Sequence, residues 1–465
     1  MGEGISYKVV LIVPNFRWTS WDKNTLWHYI PYNLCLLASM IKDIAEVTIV
    51  DAYKEDLSQR EFRARLKSLK PDVVGITVLF DQYAQSGHLA ALIAKKLGAI
   101  VVMGGVYATT NFSKVIEDEH IDYVIAGEGE YMFRYLVKHL ISGHSIPKSV
   151  LIGERISELD KLPLPSYHLI DFEKYTNNAD RKSVDSPRAY PYARIMTSRG
   201  CPMNCVFCQV STIAGDKFRP RSASNVLGEI QWLKDTYGIK SLIFDDDNLL
   251  HDKKRAKEIF QGMIDRGLAM PWLSIGLAVF KLDKDLIKLM RKSGCEYIAV
   301  AIESGTKRVL KEIINKPVDF DYATEMVKFA RSQGIYVAAN FIVGFPTETW
   351  DEIRETLQFA EDIDVDYAKI FHAVPLPHTR LWDLCEKENA FIGNGDFKWS
   401  RGNIETKDFT ANDLTILRAY EWDRINFSDS VKRERTMKMM GIDEKELNDI
   451  RKGTLRNACQ LVGVK

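Results

Sequence analysis

The chain of 465 residues lacks an excess of charge of either sign, because 63 Lys and Arg residues oppose 63 Asp and Glu residues. Proteins that bind nucleic acids by neutralising phosphates carry a clear basic excess, so this balance argues against nucleic acid as a partner. No apolar run in the sequence approaches the roughly 18 residues that span a bilayer, and no secretion signal is recognisable at the N-terminus. We therefore expect a soluble, cytoplasmic protein without a membrane span.

Cysteine is also scarce, with seven residues in the whole chain. An odd number of cysteines in a long chain argues against a framework of disulfides. Three of the seven, Cys201, Cys205 and Cys208, nevertheless fall within one short segment, while the other four are scattered. This grouping needs a chemical explanation.

The first part of the chain alternates short β-branched runs with amphipathic helical stretches. The predicted strands are Lys8–Val13, Val47–Asp51, Val73–Val78, Ile100–Met103 and Tyr123–Ala126. The predicted helices between and after them are Asn33–Ile44, Gln59–Leu69, Ala84–Leu97 and Tyr131–Leu140. This order predicts a doubly wound, Rossmann-like parallel sheet, whose ligand binds beyond the carboxyl ends of the strands.

Residues that directly follow the predicted strands are candidate contacts for that ligand. They are Pro14, Asn15, Asp51, Thr77, Gly104, Gly105, Gly127 and Glu128. Glycines at such positions either let a ligand approach the backbone or simply form tight turns, and the sequence leaves both readings open. No GxGxxG follows the first strand, so a dinucleotide is poorly supported as the ligand.

Beyond a polar, proline-containing stretch the strand and helix rhythm resumes. The predicted strands are Arg194–Ser198, Ser241–Asp245, Trp272–Leu277, Tyr297–Ile302, Val337–Val343 and Tyr367–Ala373, with helices that include Asn225–Tyr237, Lys253–Arg266 and Trp350–Ile363. Six such units close most of a TIM-type barrel, whose chemistry lies at the carboxyl ends of the strands. We therefore predict an α/β protein with a Rossmann-like domain at 1–145, a connector at 146–190, a partial (β/α)6 barrel at 191–385 and a helix-rich region at 386–465.

The clustered cysteines have the spacing C-x3-C-x2-C directly after a predicted strand. Three thiolates on one loop can ligate three corners of a [4Fe-4S] cluster, which normally takes four cysteines, so that one iron is left open. Zinc is the competing interpretation, but a structural zinc site needs four Cys or His ligands. The nearest histidines, His168 and His251, are distant in the sequence.

This loop, with Phe207 just before its last cysteine, resembles the signature of the radical S-adenosylmethionine (SAM) superfamily. The resemblance implies that SAM binds the open iron and is cleaved to a 5′-deoxyadenosyl radical. It further implies SAM contacts in an R-x-R-S run, an acidic strand end, an E-S-G run and a G-x-P turn. The residues carried over in this way are Arg219, Arg221, Asp246, Glu303, Ser304 and Gly344.

A later segment resembles the family's P-x-P-G-T run, but His378 stands where the family usually has glycine. This departure leaves two interpretations open. It alters the backbone of the loop, or it puts an acid or base near the pocket, although a lone histidine is more often structural.

The N-terminal half resembles the cobalamin-binding branch of the same superfamily, in the segments Ile30–Leu34, Gly104–Gly105 and Gly127–Glu130 and at Asp51. The candidate contacts at the strand ends thereby become predicted cobalamin contacts. The chain lacks D-x-H-x-x-G, whose histidine ligates cobalt from below in many corrinoid proteins. Its absence is compatible with cobalt that lacks such a ligand, and also with a domain that has lost the cofactor.

Taken together, the resemblance implies a cobalamin-dependent radical SAM methyltransferase, which transfers a methyl group from SAM via methylcobalamin to an unactivated carbon. The first rival is a cobalamin-associated cyclase or dehydratase without net methyl transfer. A methylthiotransferase is weakened because only Cys35 lies in the N-terminal part, and a corrinoid carrier would need no cluster. The expected partners are a small-molecule or peptide or protein substrate, and an external electron donor such as flavodoxin or ferredoxin.

Overall fold

The computed structural model describes residues 7–19, 29–144, 146–177, 183–392, 397 and 399–463. The chain forms two compact units, Met1–Tyr175 and Thr176–Lys465. Their boundary falls within the segment predicted as a connector. In the described ranges, no helix is both long and apolar enough to cross a membrane.

The first unit is built on one sheet of six parallel strands in the spatial order β2-β1-β3-β4-β5-β6. Its strands are β1 (Lys8–Val13), β2 (Glu46–Asp51), β3 (Val73–Thr77), β4 (Ile100–Gly104), β5 (Tyr123–Gly127) and β6 (Ser149–Gly153). The helices up to the boundary are α1 (Tyr32–Ile41), α2 (Gln59–Leu69), α3 (Ala84–Lys96), α4 (Val106–Thr110), α5 (Phe112–Val115), α6 (Glu130–Ile141) and α7 (Phe172–Thr176). The predicted doubly wound sheet is confirmed.

The order of the strands marks where this sheet can bind a ligand. From β1 the chain turns to β2 on one side, and it later returns to place β3 on the other side. At such a switch point the loops leave the sheet in opposite directions and open a crevice beyond the carboxyl ends of the strands. The crevice of this unit therefore lies past β1 and β3.

Strand β6 was not expected, because the sequence pattern is irregular there. It pairs with β5 over Tyr123–Gly127 and forms an edge of the sheet. Most of its side chains are partly exposed, and Ile152 is 58% exposed. A strand without a buried face shows no hydrophobic alternation, so its sequence resembles that of a loop.

Local sequence sets the helix boundaries, as α2 illustrates. Ser58 caps its first turn and forms a reciprocal capping box with Glu61, which satisfies backbone amides that have no partner inside the helix. Phe62 and Leu66, one turn apart, are fully buried. The helix ends at Lys70, whose φ of 51° lies in the left-handed region.

The second unit is built on six parallel strands in the order β14-β13-β12-β11-β10-β7, and an antiparallel pair, β8 and β9, stands beside them. Its strands are β7 (Tyr192–Ile195), β8 (Ser198–Arg199), β9 (Arg219–Pro220), β10 (Ser241–Phe244), β11 (Trp272–Ala278), β12 (Cys295–Glu303), β13 (Tyr336–Val343) and β14 (Tyr367–His372). Its helices are α8 (Val210–Ile213), α9 (Ala223–Tyr237), α10 (Lys253–Asp265), α11 (Lys284–Lys292), α12 (Phe320–Ser332), α13 (Trp350–Asp362), α14 (Arg380–Lys387), α15 (Ala411–Phe427), α16 (Ser430–Met440) and α17 (Glu444–Leu461), with a π-helical segment at Val309–Ile314. The predicted partial barrel is confirmed.

Helix α15 covers the backbone of the last strand of the barrel. The Asn426 side chain accepts a hydrogen bond from the Ala368 amide at 2.7 Å and donates one to the Ala368 carbonyl at 2.9 Å. Arg418 Nε donates to the Ile370 carbonyl at 2.9 Å. An unpaired edge strand exposes such groups, so α15 supplies the partners that a further strand would provide.

Candidate functional site

The cysteine loop begins at Gly200, directly after β8 and at the carboxyl end of the barrel. Gly200 has a φ of +81°, and a Cβ there would lie 2.3 Å from the Lys217 carbonyl oxygen, so only glycine fits. Its amide donates to Asp247 Oδ2 at 2.9 Å. The Cys201 amide donates to the Gly215 carbonyl at 3.1 Å. The backbone of the loop is therefore fixed where the first cysteine stands.

Three consecutive carboxylates after β10 hold the strand that leads into this loop. Asp245 forms a bidentate ion pair with Arg194 at 2.8 and 2.6 Å. Asp246 Oδ1 accepts from the Thr197 amide and hydroxyl and from the Ser198 hydroxyl. Each carboxylate has its own donors, which offsets their mutual repulsion.

Asp246, predicted as a SAM contact, is only partly exposed to solvent. Burial raises the pKa of its carboxyl group to about 6, although its hydrogen bonds to Ser198 and Thr197 act in the opposite direction. Its Oδ2 atom is buried without a hydrogen-bond partner among the described residues. The hydrogen bonds of Asp246 to Thr197 and Ser198 hold the segment before the cysteines. Contact of Asp246 with SAM stays a prediction.

The two predicted arginines also support the loop. Arg219 lies on β9, which pairs with β8, and its Nη2 donates to the Ala214 carbonyl at 2.7 Å. Arg221 is buried, bonds to Asn225 at 2.7 Å and forms a close ion pair with Glu229. Arginine in such a site satisfies several acceptors at once. Contact of either arginine with SAM stays a prediction.

The three thiols lie on this supported loop. Burial raises the pKa of the Cys205 thiol and raises that of Cys208 to about 12, and the neighbouring cysteines act in the same direction. Asn248 Nδ2 donates to Cys201 Sγ at 3.4 Å. A bound metal centre lowers the pKa of these thiols again, because its positive charge favours the thiolate that coordinates it.

These three thiols fit the donor set of an iron-sulfur cluster that has one open iron. Among the residues that the structure describes, no three His, Cys, Asp or Glu side chains are placed to hold one metal ion. A cubane cluster takes its thiolates at separate corners and accepts hydrogen bonds at sulfur, such as the one Asn248 supplies. Cys201, Cys205 and Cys208 are the residues that could hold it.

The end of β12 presents Glu303 beside the cysteine loop. Glu303 has a φ of +78°, and its Oε1 pairs with Lys316 Nζ at 2.8 Å while both side chains are buried. The segment before Lys316 contacts the loop, since the Val206 amide donates to the Ile314 carbonyl at 3.1 Å. Sequence reasoning missed Lys316, because the residues around it do not distinguish it from a lysine on the protein surface.

Ser304, the other residue predicted here, has a buried hydroxyl that is 3.1 Å from the Thr356 hydroxyl of α13. It also accepts the Thr306 amide at 3.2 Å. A Cβ on Gly305 would lie 2.7 Å from Phe359 Cβ and 2.8 Å from backbone atoms of α13. The E-S-G run thus fixes the turn onto α13, which leaves Glu303 at the carboxyl end of its strand.

The turn after β13 lies against the same loop. Gly344 has a φ of +86°, and a Cβ there would lie 2.4 Å from Leu414 Cδ1. Phe345 lies 6.3 Å from Phe207 of the cysteine loop, measured between ring centroids. The structure therefore brings the predicted Phe207 and Gly344 segments together.

A buried carboxylate holds this turn. Glu348 Oε2 accepts the Gly344 amide at 2.7 Å and the Phe345 amide at 3.0 Å. Its side chain is fully buried, burial raises its pKa to about 8, and its Oε1 has no partner in the described part of the chain. Sequence reasoning missed Glu348, because it is one of several acidic residues around the start of α13.

His378, which stands where the family usually has glycine, has a left-handed backbone. Its φ is +61°, a left-handed conformation that glycine adopts without cost. The side chain is exposed, and the His378 carbonyl accepts the Thr212 hydroxyl of α8 at 3.3 Å. Both interpretations of His378 stay predictions.

In the first unit, the predicted cobalamin contacts lie at the carboxyl ends of neighbouring strands. Pro14 and Asn15 follow β1, and Asn15 Oδ1 caps the next turn through the Arg17 amide at 3.0 Å. Thr77 ends β3, and its hydroxyl accepts Asn33 Nδ2 of α1 at 2.9 Å. Asn15 and Thr77 therefore flank the crevice between β1 and β3.

Two of the predicted glycines, Gly105 and Gly127, are needed for close backbone packing. A Cβ on Gly105, whose φ is +94°, would lie 2.7 Å from the Val78 carbonyl oxygen, and one on Gly127 would lie 2.7 Å from that of Gly153. The Glu128 carboxylate accepts the Ile156 amide at 2.8 Å. Gly104, by contrast, has no atom within 3.7 Å of such a Cβ. Tight turns therefore explain Gly105 and Gly127 without a ligand.

Asp51, the remaining predicted contact, is buried and already bonded. It accepts the Tyr175 hydroxyl at 2.7 Å and the Lys54 amide at 2.8 Å. Burial raises the pKa of its carboxyl group to about 6. Its described contacts hold α7 against β2, and contact with cobalamin stays a prediction.

The two units thus define a class of protein in which a doubly wound domain with an open crevice precedes a partial barrel that carries a cluster-binding loop. Family models agree with this description: B12 binding domain matches residues 27–137, and Radical SAM superfamily matches residues 195–360. The chain belongs to the B12-binding branch of the radical SAM superfamily. SAM, a [4Fe-4S] cluster and cobalamin are the cofactors of this family.

Curated relatives agree over most of the chain. An uncharacterised methyltransferase of Pyrococcus horikoshii is 33% identical over 83% of this chain and 85% of its own length. The cytidylyl-2-hydroxyethylphosphonate methyltransferase of Streptomyces wedmorensis is 31% identical over 71% and 70% of the two chains. The anaerobic magnesium-protoporphyrin IX monomethyl ester cyclase of Rubrivivax gelatinosus is 26% identical over 83% and 71%.

Solved structures share the fold at low sequence identity. The cobalamin-dependent SAM radical enzyme OxsB, with aqua-cobalamin and SAM bound, has a TM-score of 0.70 at 15% identity and covers 97% of this chain and 72% of its own. The radical SAM methyltransferase TsrM from Kitasatospora setae, with cobalamin and a [4Fe-4S] cluster bound, has a TM-score of 0.65 at 18% identity and covers 92% and 82%. At these identities the likeness concerns the fold.

Proposed function

We propose that this chain is a cobalamin-dependent radical SAM methyltransferase that acts on an unactivated carbon. The observation that carries the proposal is the position of the cysteine loop in a chain with a B12-binding domain. The loop is held by Asp247, which follows β10, and it packs against the segments of Glu303 and Gly344. The methyltransferases among its relatives support methyl transfer as the outcome.

The need for a radical follows from the substrate. An sp3 carbon bound to hydrogen is not a nucleophile, so it cannot displace a methyl group from SAM directly. When bound, the cofactors supply a carbon radical and a transferable methyl group, while the protein orients them and excludes water.

The residues of the barrel then have distinct tasks. Cys201, Cys205 and Cys208 hold the cluster, and Asn248 donates to the first of these sulfur atoms. Glu303 and Gly344 contact SAM, with the turn at Gly344 held in place by the buried acceptor that follows it. A flavodoxin or ferredoxin supplies the electron that starts the reaction.

A cyclase without net methyl transfer is the second candidate, and the Rubrivivax relative favours it. The products of SAM separate the two, because methyl transfer yields S-adenosylhomocysteine while radical formation yields 5′-deoxyadenosine. We expect the anaerobically reconstituted enzyme, given SAM with a deuterated methyl group and a cell metabolite fraction, to form both in equal amounts and to deuterate a product. Deoxyadenosine without S-adenosylhomocysteine would favour the cyclase.

A matched variant controls this experiment. Cys205→Ala removes one cluster ligand, so we expect it to abolish both products. Cys459→Ala changes a cysteine of α17, far along the chain from the loop, and should leave both unchanged. Turnover that survives in Cys205→Ala would refute the assignment of the cluster.

A further inference from the structure

One edge of the sheet in the first unit has an unusual composition for an exposed strand. Strand β6 forms this edge, and no strand of the described residues pairs with its outer side. Edge strands are commonly protected by a charge in the middle of the strand or by a covering element. The central residues of β6 are instead Val150, Leu151 and Ile152, all at least partly exposed, and Ile152 is 58% exposed. The edge is therefore open to a further strand.

The backbone of β6 presents hydrogen-bonding groups on this outer side. The Ser149 amide donates inward, to the Asp122 carbonyl at the start of β5, at 3.3 Å. Along a strand, the N–H and C=O groups of successive residues point alternately to the two sides. Those of Val150 and Ile152 therefore point outward. No residue in the described ranges bonds to these outward groups.

Two charged residues flank this strand on the face that the outward residues share. Because side chains alternate between the faces of a sheet, Lys148, Val150, Ile152 and Glu154 follow one another on the same face. Val150 packs against the core of the unit. Lys148 and Glu154 are exposed, and neither forms an ion pair with a described residue. Lys148 Nζ donates to the Asp118 carbonyl at 2.7 Å, which leaves it further N–H groups.

The order of these side chains is complementary to itself when the strand is reversed. In an antiparallel pair of two β6 strands centred on Leu151, Val150 of one copy lies opposite Ile152 of the other. Lys148 of one copy then lies opposite Glu154 of the other. Residues directly opposite each other share a face, where apolar pairs and pairs of opposite charge stabilise a sheet. The edge therefore supplies both the apolar contact and the charge pair that a second copy needs.

The direction of the backbone selects the same register. Two residues that exchange N–H···O bonds across an antiparallel pair must both point to the shared edge, and Val150 and Ile152 do so. A shift by one residue would place an outward residue opposite an inward one. A shift by two residues would place Lys148 opposite Ile152, or Glu154 opposite Val150, and would leave both charges without a partner.

We propose that two copies of this chain associate through β6, with the two strands antiparallel and centred on Leu151, so that their sheets join into one. Each copy contributes the same edge, and a two-fold axis passes between the two Leu151 residues. A contact along one short strand is smaller than the surface that permanent dimers bury. The dimer therefore forms and dissociates with concentration. The inference goes beyond the proposed function, since β6 contains none of the predicted cofactor contacts.

Sedimentation velocity of the full-length, reconstituted protein over a series of concentrations tests the association. We expect an exchange between monomer and dimer, and the Val150 and Ile152 amides should exchange hydrogen more slowly at the higher concentrations. Ile152→Asp places an unpaired charge opposite Val150 twice in the symmetric dimer, and it should weaken association at least about tenfold. A protein that stays monomeric at every concentration would overturn the proposal.

Charge reversal tests the register. Lys148→Glu and Glu154→Lys each place like charges opposite one another at both ends of the contact, so each should weaken the dimer about tenfold. The double variant restores opposite charges in reversed order and should regain the affinity of the wild type. Lys67→Glu, on the exposed surface of α2, makes the same change in net charge and should leave the dimer unchanged. A dimer that responds neither to these reversals nor to Ile152→Asp uses another surface and refutes the inference.

Failure of this inference differs from failure of the proposed function. All the variants change exposed side chains, so their circular dichroism spectra and the absorbance of the cluster should match those of the wild type. The association requires no turnover. A monomer that cleaves SAM refutes only the inference, whereas a dimer that holds no cluster refutes only the function.

Discussion

Replacing Glu348 by alanine is expected to destabilise the second unit by about 2 to 6 kcal/mol, because two buried amides lose their acceptor at about 1 to 3 kcal/mol each. These amides belong to Gly344 and Phe345, and both donate to one carboxylate oxygen. Glu348→Gln keeps a carbonyl oxygen at this position and should be milder. Chemical unfolding followed by circular dichroism measures the loss, and hydrogen exchange at the two amides should speed up in parallel.

The carboxyl group of Glu348 should also make the stability of the protein depend on pH. Burial raises its pKa from 4.5 to about 8, so between these values the folded chain holds a proton that the unfolded chain has released. Its contribution to stability is fully present below pH 4.5 and is lost as the pH rises through 8. Glu348→Gln cannot ionise and should lack this decline, while exposed Glu258→Gln should follow the wild type. Parallel profiles for wild type and Glu348→Gln, or an alanine variant within about 0.5 kcal/mol of wild type, would refute the reasoning.

Three further predictions concern other parts of the barrel. Lys316→Met should cost about 3 to 5 kcal/mol because it strands the buried Glu303, and adding Glu303→Gln should recover most of the loss in chemical unfolding. Cys205→Ala should lower bound iron and the visible absorbance of the cluster after reconstitution, while Cys459→Ala keeps both. His378→Gly should stabilise the protein by up to about 1 kcal/mol by relieving the left-handed backbone, and a loss of activity without a loss of stability would instead indicate a chemical role for the imidazole.

The fold could be predicted where a repeating pattern reflects burial on a known face. Helix α2 begins and ends as predicted, because a capping serine and two buried residues one turn apart mark it in the sequence. The buried strands of both sheets were likewise found to within a few residues. Strand β6 was missed because half-exposed side chains carry no such pattern.

The helix-rich C-terminal region had no interpretable motif, since its role depends on what it contacts. Asn426 supplies hydrogen bonds to a strand some sixty positions earlier, and Met439 fills the closed end of the barrel. The sequence around Asn426 and Met439 does not distinguish these two residues from others on a helix. Their function follows from the open edge and the open end of the barrel that they cover.

The sequence by itself determined the two α/β domains, the loop of three thiols and the family, because periodic burial and close spacing along the chain are local properties. Tertiary structure alone decided which polar groups face one another. It set Asp246 beneath the cysteine loop, paired Lys316 with Glu303, and aligned Asn340 with Lys369 across neighbouring strands. Partners that stand far apart along the chain are chosen by strand register and by the cost of burying an unpaired charge, and neither is written in any short stretch of sequence.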